Sequence, residues 1–340
     1  MSIQPEASTG PAVTFLTSNQ RHTLRAAVFN NRRALSALLV FVIMLTIFTA
    51  ANPRVFTNIR IYTTIFLVLP VSIFLVIPLV FLVVSGEIDL AFPATMGIGG
   101  WMFALAVDGG WNPFLALGFA VLVGTGIGLL IGILVTYVGL SSLVATLGAN
   151  FLLRGLINVG SEAFPIHFAE IEDSVLHTIM ASKVGSFPVQ MFWAIGFVAI
   201  GWLLFNRHQF GARVQVVGDN PESAREMGIN VNHLRIVCFM FVGTGAALAG
   251  VLSGLINFVW WPTTGDGFLL TALAAVFVGG TPTWGGVGTV IGSSIGVFTI
   301  VFIETGVVAA GLSGFYTRFF NGLIIILSLV GHRFNGPRER

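Results

Sequence analysis

The residues of this chain best suited to chemistry are few and unevenly placed. Two acids, Glu87 and Asp89, sit in the stretch Ser85–Pro93 beside long apolar runs. Acids near membrane depth are costly and default to a functional role. Asp89 has a structural alternative, capping the helix that follows. A second stretch, Gly218–Val231, reads G-D-N-P-E-S-A-R-E-M-G-I-N-V. Asn220 suits an N-cap, because its side chain can accept from the free amides of the next turn. Pro221 suits the first helical position, where no donor is needed. Glu222 complements the positive start of the helix, and Gly228 suits the left-handed residue that ends it. The pattern predicts a short, sharply bounded helix around Ser223, with Glu222, Arg225 and Glu226 on its surface. Such a rigid, charged helix can transmit force to another protein, or it can be a tidy loop helix with no partner.

A third set consists of polar and aromatic residues in or beside apolar runs: Trp101, Asn150, Asn158 and Asn257, with Trp260 and Trp261. Amides can bond the hydroxyls of a passing solute, and indole faces can stack on its ring. Interhelical hydrogen bonding explains the amides equally well. Interfacial anchoring explains Trp111, Trp260 and Trp261. Asp108, Asp266 and Glu304 fall at the ends of expected spans, where water solvates them. Several chemistries are missing. A phosphate-binding loop needs a Gly-Lys-Ser/Thr step, yet the only lysine lies in Ser182-Lys183-Val184. The single cysteine, Cys238, excludes an intrachain disulfide and a Cys-based metal site. The six histidines fall outside the expected spans and read as solvated. No metal, no cofactor of the chain's own, no nucleic-acid partner and no covalent catalysis are expected.

The elements that must position these residues are membrane helices. The chain has 340 residues, 55% hydrophobic and 9% charged, against roughly 25% charged in a soluble domain. At about 20 apolar residues per span, about ten candidates appear: 34–51, 61–84, 91–107, 113–137, 140–159, 188–205, 235–259, 267–280, 286–304 and 315–331. The first is longer and later than the apolar region of a signal peptide, so it reads as a retained span. Segments 91–107 and 267–280 are short. They are either tilted helices or interrupted ones beside a pathway. With both ends inside, the inner segments hold Arg21, Arg25, Arg32, Arg33, Arg207, Arg213, Arg225, Arg235, Arg333, Arg338 and Arg340. The outer segments hold only Arg54, Arg60 and Lys183. This bias favours cytoplasmic termini. The organisation expected is all-α and polytopic: a cytoplasmic tail over 1–33, one transmembrane domain over 34–331 with an inner segment 206–235, and a basic tail over 332–340. Gly124, Gly128 and Gly132 recur every four residues, as do Gly292 and Gly296, and suit close helix packing within the chain. A weak internal echo links Val83–Leu90 with Phe277–Trp284.

Four stretches carry a resemblance. They are Ser85–Leu90; Leu147-Gly148 with Leu153-Arg154-Gly155; Gly218–Val231 with Ala246–Gly250; and the Gly-rich run Gly279–Gly286. With them the chain resembles the ribose/xylose-type sugar permeases of ABC importers, in the group that includes branched-chain amino acid permeases. Gly86, Ile88, Asp89 and Leu90 match the family's Gly-Gly-Ile-Asp-Leu signature, with Glu87 in place of its second glycine. The signature then continues Ala91-Phe92-Pro93 where the family has Ser-Val-Gly. The resemblance implies a multi-pass subunit of the bacterial inner membrane that works as a pair, most simply a homodimer. It implies ATP-Mg held in separate cytoplasmic ATPase subunits, and a monosaccharide or related small polar solute delivered by a periplasmic binding protein, with branched-chain amino acids and nucleosides as the alternatives. It also implies that Asn220–Gly228 is the coupling helix. The outer acids Glu162, Glu170, Glu172 and Asp173 are a candidate surface for the binding protein. A carrier driven by an ion gradient would need a buried relay acid, and no acid reads as mid-span.

Overall fold

The structure, a computed structural model, describes residues 32–309, 311 and 313–335. Except for their helical edges, the expected terminal tails lie outside the described residues. Every segment read as a span holds one helix: α1 (Arg32–Ala51), α3 (Ile59–Val84), α4 (Phe92–Asp108), α5 (Pro113–Thr136), α6 (Ser142–Gly160), α8 (Gln190–Asn206), α11 (Val231–Asn257), α12 (Phe268–Val278), α13 (Val290–Ala309) and α14 (Phe315–Asn335). Five of these, α3, α5, α6, α11 and α13, are long and apolar enough to cross a membrane by length and composition. Shorter helices link them: α2 (Pro53–Phe56), α7 (Val175–Met180), α9 (Gln209–Asp219) and α10 (Pro221–Glu226). The fold is that of an all-α, polytopic membrane protein.

Helix α3 is the axis of the molecule, buried along most of its length and packed against α8, α11, α12 and α13. Its interior prolines, Pro70 and Pro78, each deprive a carbonyl one turn earlier of its helical donor. Gly245 of α11 fits against one of these, Phe74 O, where a Cβ would collide. The glycine stripe of α5 packs within the chain, as the spacing suggests. Gly124 lies against the Gly243 carbonyl, Gly128 against Phe239, and Gly132 against Ile236, all on α11. Thr125 and Thr244 close the same seam with a 2.7 Å hydrogen bond. A second seam sets Gly292 and Gly296 of α13 against backbone carbonyls of Gly279 and Ala275. Backbones meeting this closely gain dispersion along their length, which replaces the hydrophobic drive absent between helices in lipid.

The internal echo has a structural meaning. Helices α3 and α12 end in the same motif. Gly86 N donates to Val83 O and Glu87 N to Leu82 O, at 3.0 and 3.2 Å; Gly280 N donates to Phe277 O and Thr281 N to Val276 O, at 2.9 and 3.2 Å. The two glycines take φ of +89° and +91°, the left-handed position such a helix end demands. The loop that follows α12 folds back onto the end of α3, where Gly286 N donates to Val84 O at 2.8 Å, and this contact is the α3–α12 junction. At the opposite end of the bundle, strand β1 (Ile166–His167) pairs antiparallel with β4 (Val259–Trp260). A short hairpin, β2 (Lys183–Val184) with β3 (Phe187–Pro188), completes the 161–189 segment.

Candidate functional site

The short helix expected near Asn220 forms, and each local signal performs its part. The Asn220 side chain accepts from Glu222 N at 3.0 Å and Ser223 N at 3.1 Å. Pro221 opens the helix. At its end Gly228, at φ +80°, donates to Arg225 O, while Ile229 N donates to Ala224 O. Ala224 alone is fully buried; Glu222, Ser223, Arg225, Glu226 and Met227 face outward. A cleft of about 560 Å³ lies alongside, lined by Arg213, Met227, Asn230 and His233 among others. The helix is therefore a rigid, charged projection bounded by a hollow.

What lies beneath α10 gives it reach. Gly218, two residues before the cap, is wedged against Val84 O and Gly286 N, where any Cβ would collide. The projection thus rests on the junction of the α3 and α12 ends. Arg235, in the first turns of α11, binds the same junction. Its Nη1 lies 2.7 Å from Glu87 Oε1 and its Nη2 3.4 Å from Ser85 O. Both partners are mostly buried, with side-chain exposures of 20% and 11%. The signature residues form the link between α3 and α4. Gly86 makes the left-handed turn, Ile88 N reaches Ser142 Oγ at 3.4 Å, and Asp89 accepts from Ala91 N at 2.6 Å. Asp89 is 2% exposed, and burial pushes its carboxyl up from 3.8 to about 7 against those backbone bonds. It braces the link leading into α4 rather than facing a water path.

The four residues read as candidate path groups are not brought together. Trp101 is buried and stacks on Trp260, with ring centroids 5.9 Å apart. Its rim packs against Gly160, where a Cβ would collide with it. Asn257 donates to Ser253 O of its own helix at 2.7 Å, and both Asn257 and Asn158 are exposed. Asn150 is half-buried, with Oδ1 unpaired among the described residues. None of the four lines the large cavity described next. Interfacial anchoring also fails for Trp260, which is 1% exposed and donates to Gly97 O; Trp111 and Trp261, about half exposed, fit it.

Sequence reasoning missed the polar groups at the opposite end. A cavity of about 1080 Å³ opens between α3, α12, α13 and α14. Glu304 lies in it, accepting on Oε1 from Thr271 Oγ1 at 2.9 Å and Asn321 Nδ2 at 2.7 Å. The expectation of a solvated span-end acid is therefore corrected. Helix α13 runs to Ala309, so Glu304 falls a turn inside it. The reason is the Gly-rich run before it, which stays non-helical through Thr289 and shifts the helix along the chain. Arg318 and Asn321, polar residues inside the last span, were the signals present in sequence. Nearby, Arg154 pairs with Asp266 at 2.8 Å and donates to Pro93, Pro262 and Thr264 carbonyls. It ties α6 to the loop before α12.

Comparison with known proteins places this geometry. A model of the family described as the permease component of branched-chain amino acid transport systems matches residues 61–329. The chain is 31% identical to the autoinducer 2 import system permease protein LsrC of Yersinia enterocolitica over 309 residues, covering 88% of this chain and 82% of that one. It is likewise 31% identical to LsrC of Yersinia pseudotuberculosis over 310 residues, covering 88% and 84%. No solved structure matches the chain. The match takes in the α3–α12 junction, the α10 projection and the glycine seams, and the chain belongs to this family of transport permease components.

Proposed function

We propose that this chain is the membrane permease subunit of an ATP-driven importer for a small polar solute, with α10 as its coupling helix. The observation that carries the reading is the seat of α10: an exposed, doubly capped helix whose preceding Gly218 bears directly on the α3–α12 junction. A helix so short is marginal by itself. Held by both caps and by buried Ala224, it can pass a push inward instead of fraying. In this reading a cytoplasmic ATPase, which alone holds ATP-Mg, seats Glu222, Arg225 and Met227. Nucleotide binding then shifts the link Ser85–Ala91 and the loop 279–289 together.

The rest of the assembly follows from that placement. The α10 end faces the cytoplasm with both termini; α12, with 11 residues, is too short to cross the bilayer by itself. A second copy of the chain completes the path. The opposite face, with exposed Glu170, Glu172 and Asp173, receives a periplasmic binding protein. The relatives are named for autoinducer 2 import and the resemblance is to sugar permeases, so a monosaccharide or similar polyol is the favoured solute. The family's own description favours a second reading, a branched-chain amino acid.

The test is affinity purification from gently solubilised membranes of the wild type and the double variant Glu222→Lys plus Arg225→Glu. An ATPase subunit should co-purify with the wild type and be lost with the variant at equal permease yield. Absence of an ATPase from both would leave a gradient-driven carrier, for which Glu304, a half-buried carboxylate within a helix, is of the kind required.

A further inference from the structure

We infer that the cavity between α3, α12, α13 and α14 is a solute station of the permease itself, shaped for a neutral polyhydroxylated molecule; this rests on the importer reading. Its floor is polar and incompletely bonded. Asn321 is 4% exposed and Ser72 2% exposed, and both line the cavity. Asn321 Oδ1 and Ser72 Oγ are buried with no hydrogen-bond partner among the described residues. Native interiors rarely leave such groups unpaired, and each orphan calls for a water, an ion or a ligand. Glu304 adjoins Asn321, and both of its bonds, from Thr271 and Asn321, fall on the same oxygen.

The charges select the ligand class. Arg54, Arg60 and Arg318 line the same cavity and are exposed, so an approaching cation meets like charge; exposed Asp266 also lines it, with its carboxylate paired to Arg154. An anion that passes them meets the Glu304 carboxylate. A neutral molecule with several hydroxyls is opposed by neither. Its hydroxyls can donate to the Glu304 carboxylate; Asn321 Oδ1 and Ser72 Oγ, which have no exposed surface as they stand, become partners when their side chains turn toward the cavity. The wall Val68, Leu269 and Val308 offers apolar surface to its carbon face. This is the usual composition of a small-molecule site, mostly apolar with a few convergent polar groups.

The experiment uses the permease reconstituted in vesicles with its ATPase and its binding protein. Tritiated D-ribose, D-xylose, D-glucose, 2-deoxy-D-ribose and L-leucine are the probes. Ser72→Ala deletes only an unbonded hydroxyl, and Glu304→Gln keeps an acceptor for both donors, so neither should disturb folding. Both are expected to assemble normally, to import the sugar about tenfold more slowly, and to change the ratio of sugar to deoxy-sugar uptake. Unchanged rates and ratio in both variants would overturn the proposal while leaving the importer intact. An equal loss for every solute would also overturn it, by revealing a purely structural role. Wild-type vesicles that import leucine and no sugar would overturn the solute reading itself.

Discussion

Breaking the Arg235–Glu87 pair should loosen the junction beneath α10 and uncouple it from transport. At an effective dielectric of about 20, unit charges about 4 Å apart attract by about 4 kcal/mol. Removing one member of a fully buried pair costs about 3–5 kcal/mol, because the other charge is left uncompensated. Here the side chains keep 20% and 11% of their exposure, so water recovers part of that loss. The expected cost of Glu87→Gln is about 2–3 kcal/mol, or about 30- to 150-fold in the unfolding equilibrium. The Arg235 Nε is already buried without a partner, so little remains nearby to rescue the guanidinium. The assay is a double-mutant cycle with Glu87→Gln, Arg235→Met and both together, each unfolded with denaturant in detergent micelles. The double variant should lose no more than either single one, giving a coupling energy near 2 kcal/mol. In vesicles each single variant should keep its ATP hydrolysis while import falls. Single losses below about 0.5 kcal/mol that simply add, with import unchanged, would refute the reasoning.

Other outcomes follow from the same geometry. Gly218→Ala drives a Cβ into Val84 O and Gly286 N while leaving the face of α10 intact. It should retain the ATPase in co-purification and yet lose import. Asp89 has its folded carboxyl raised from 3.8 to about 7, so its contribution to stability is full below the ordinary value and fades as pH climbs through about 7. Asp89→Asn, which can still accept from Ala91, should flatten that part of the pH–stability curve in detergent denaturation. Reversing Glu170 and Asp173 to Arg together should weaken binding-protein docking in a pull-down without altering ATPase assembly; unchanged docking would remove the outer acidic segment from the reading.

What could be read in the sequence was local. Hydropathy found the helices because lipid demands long apolar runs with internal hydrogen bonds. Asn220, Pro221 and Gly228 announced α10 because capping is decided within a few residues. Long-range pairing left no such trace. Glu87 and Arg235, far apart along the chain, could be read as a boundary acid and a topogenic arginine, never as partners. Glu304 was misplaced because the hydropathy window opened on glycines that never become helical. The amides Asn158 and Asn257, read as candidate path groups, are exposed near helix ends. Trp101 and Trp260 make one stack that neither position hints at alone.

The glycine seams carry a mechanical consequence. Helices that meet backbone to backbone cannot slide, since a shift of one residue along the axis drives a Cβ into a carbonyl. Helices α4, α5 and α11 are therefore locked into one rigid block, and α12 with α13 into another. The chain passes between the blocks through 258–267, where Phe258, Gly265 and Gly267 all hold positive φ. Arg154 clasps this crossing to α6 and α4, pairing with Asp266 and donating to the Pro262, Thr264 and Pro93 carbonyls. A stroke that kept both seams closed would move each block as a unit, and the Arg154 clasp is the contact it would have to carry along or release.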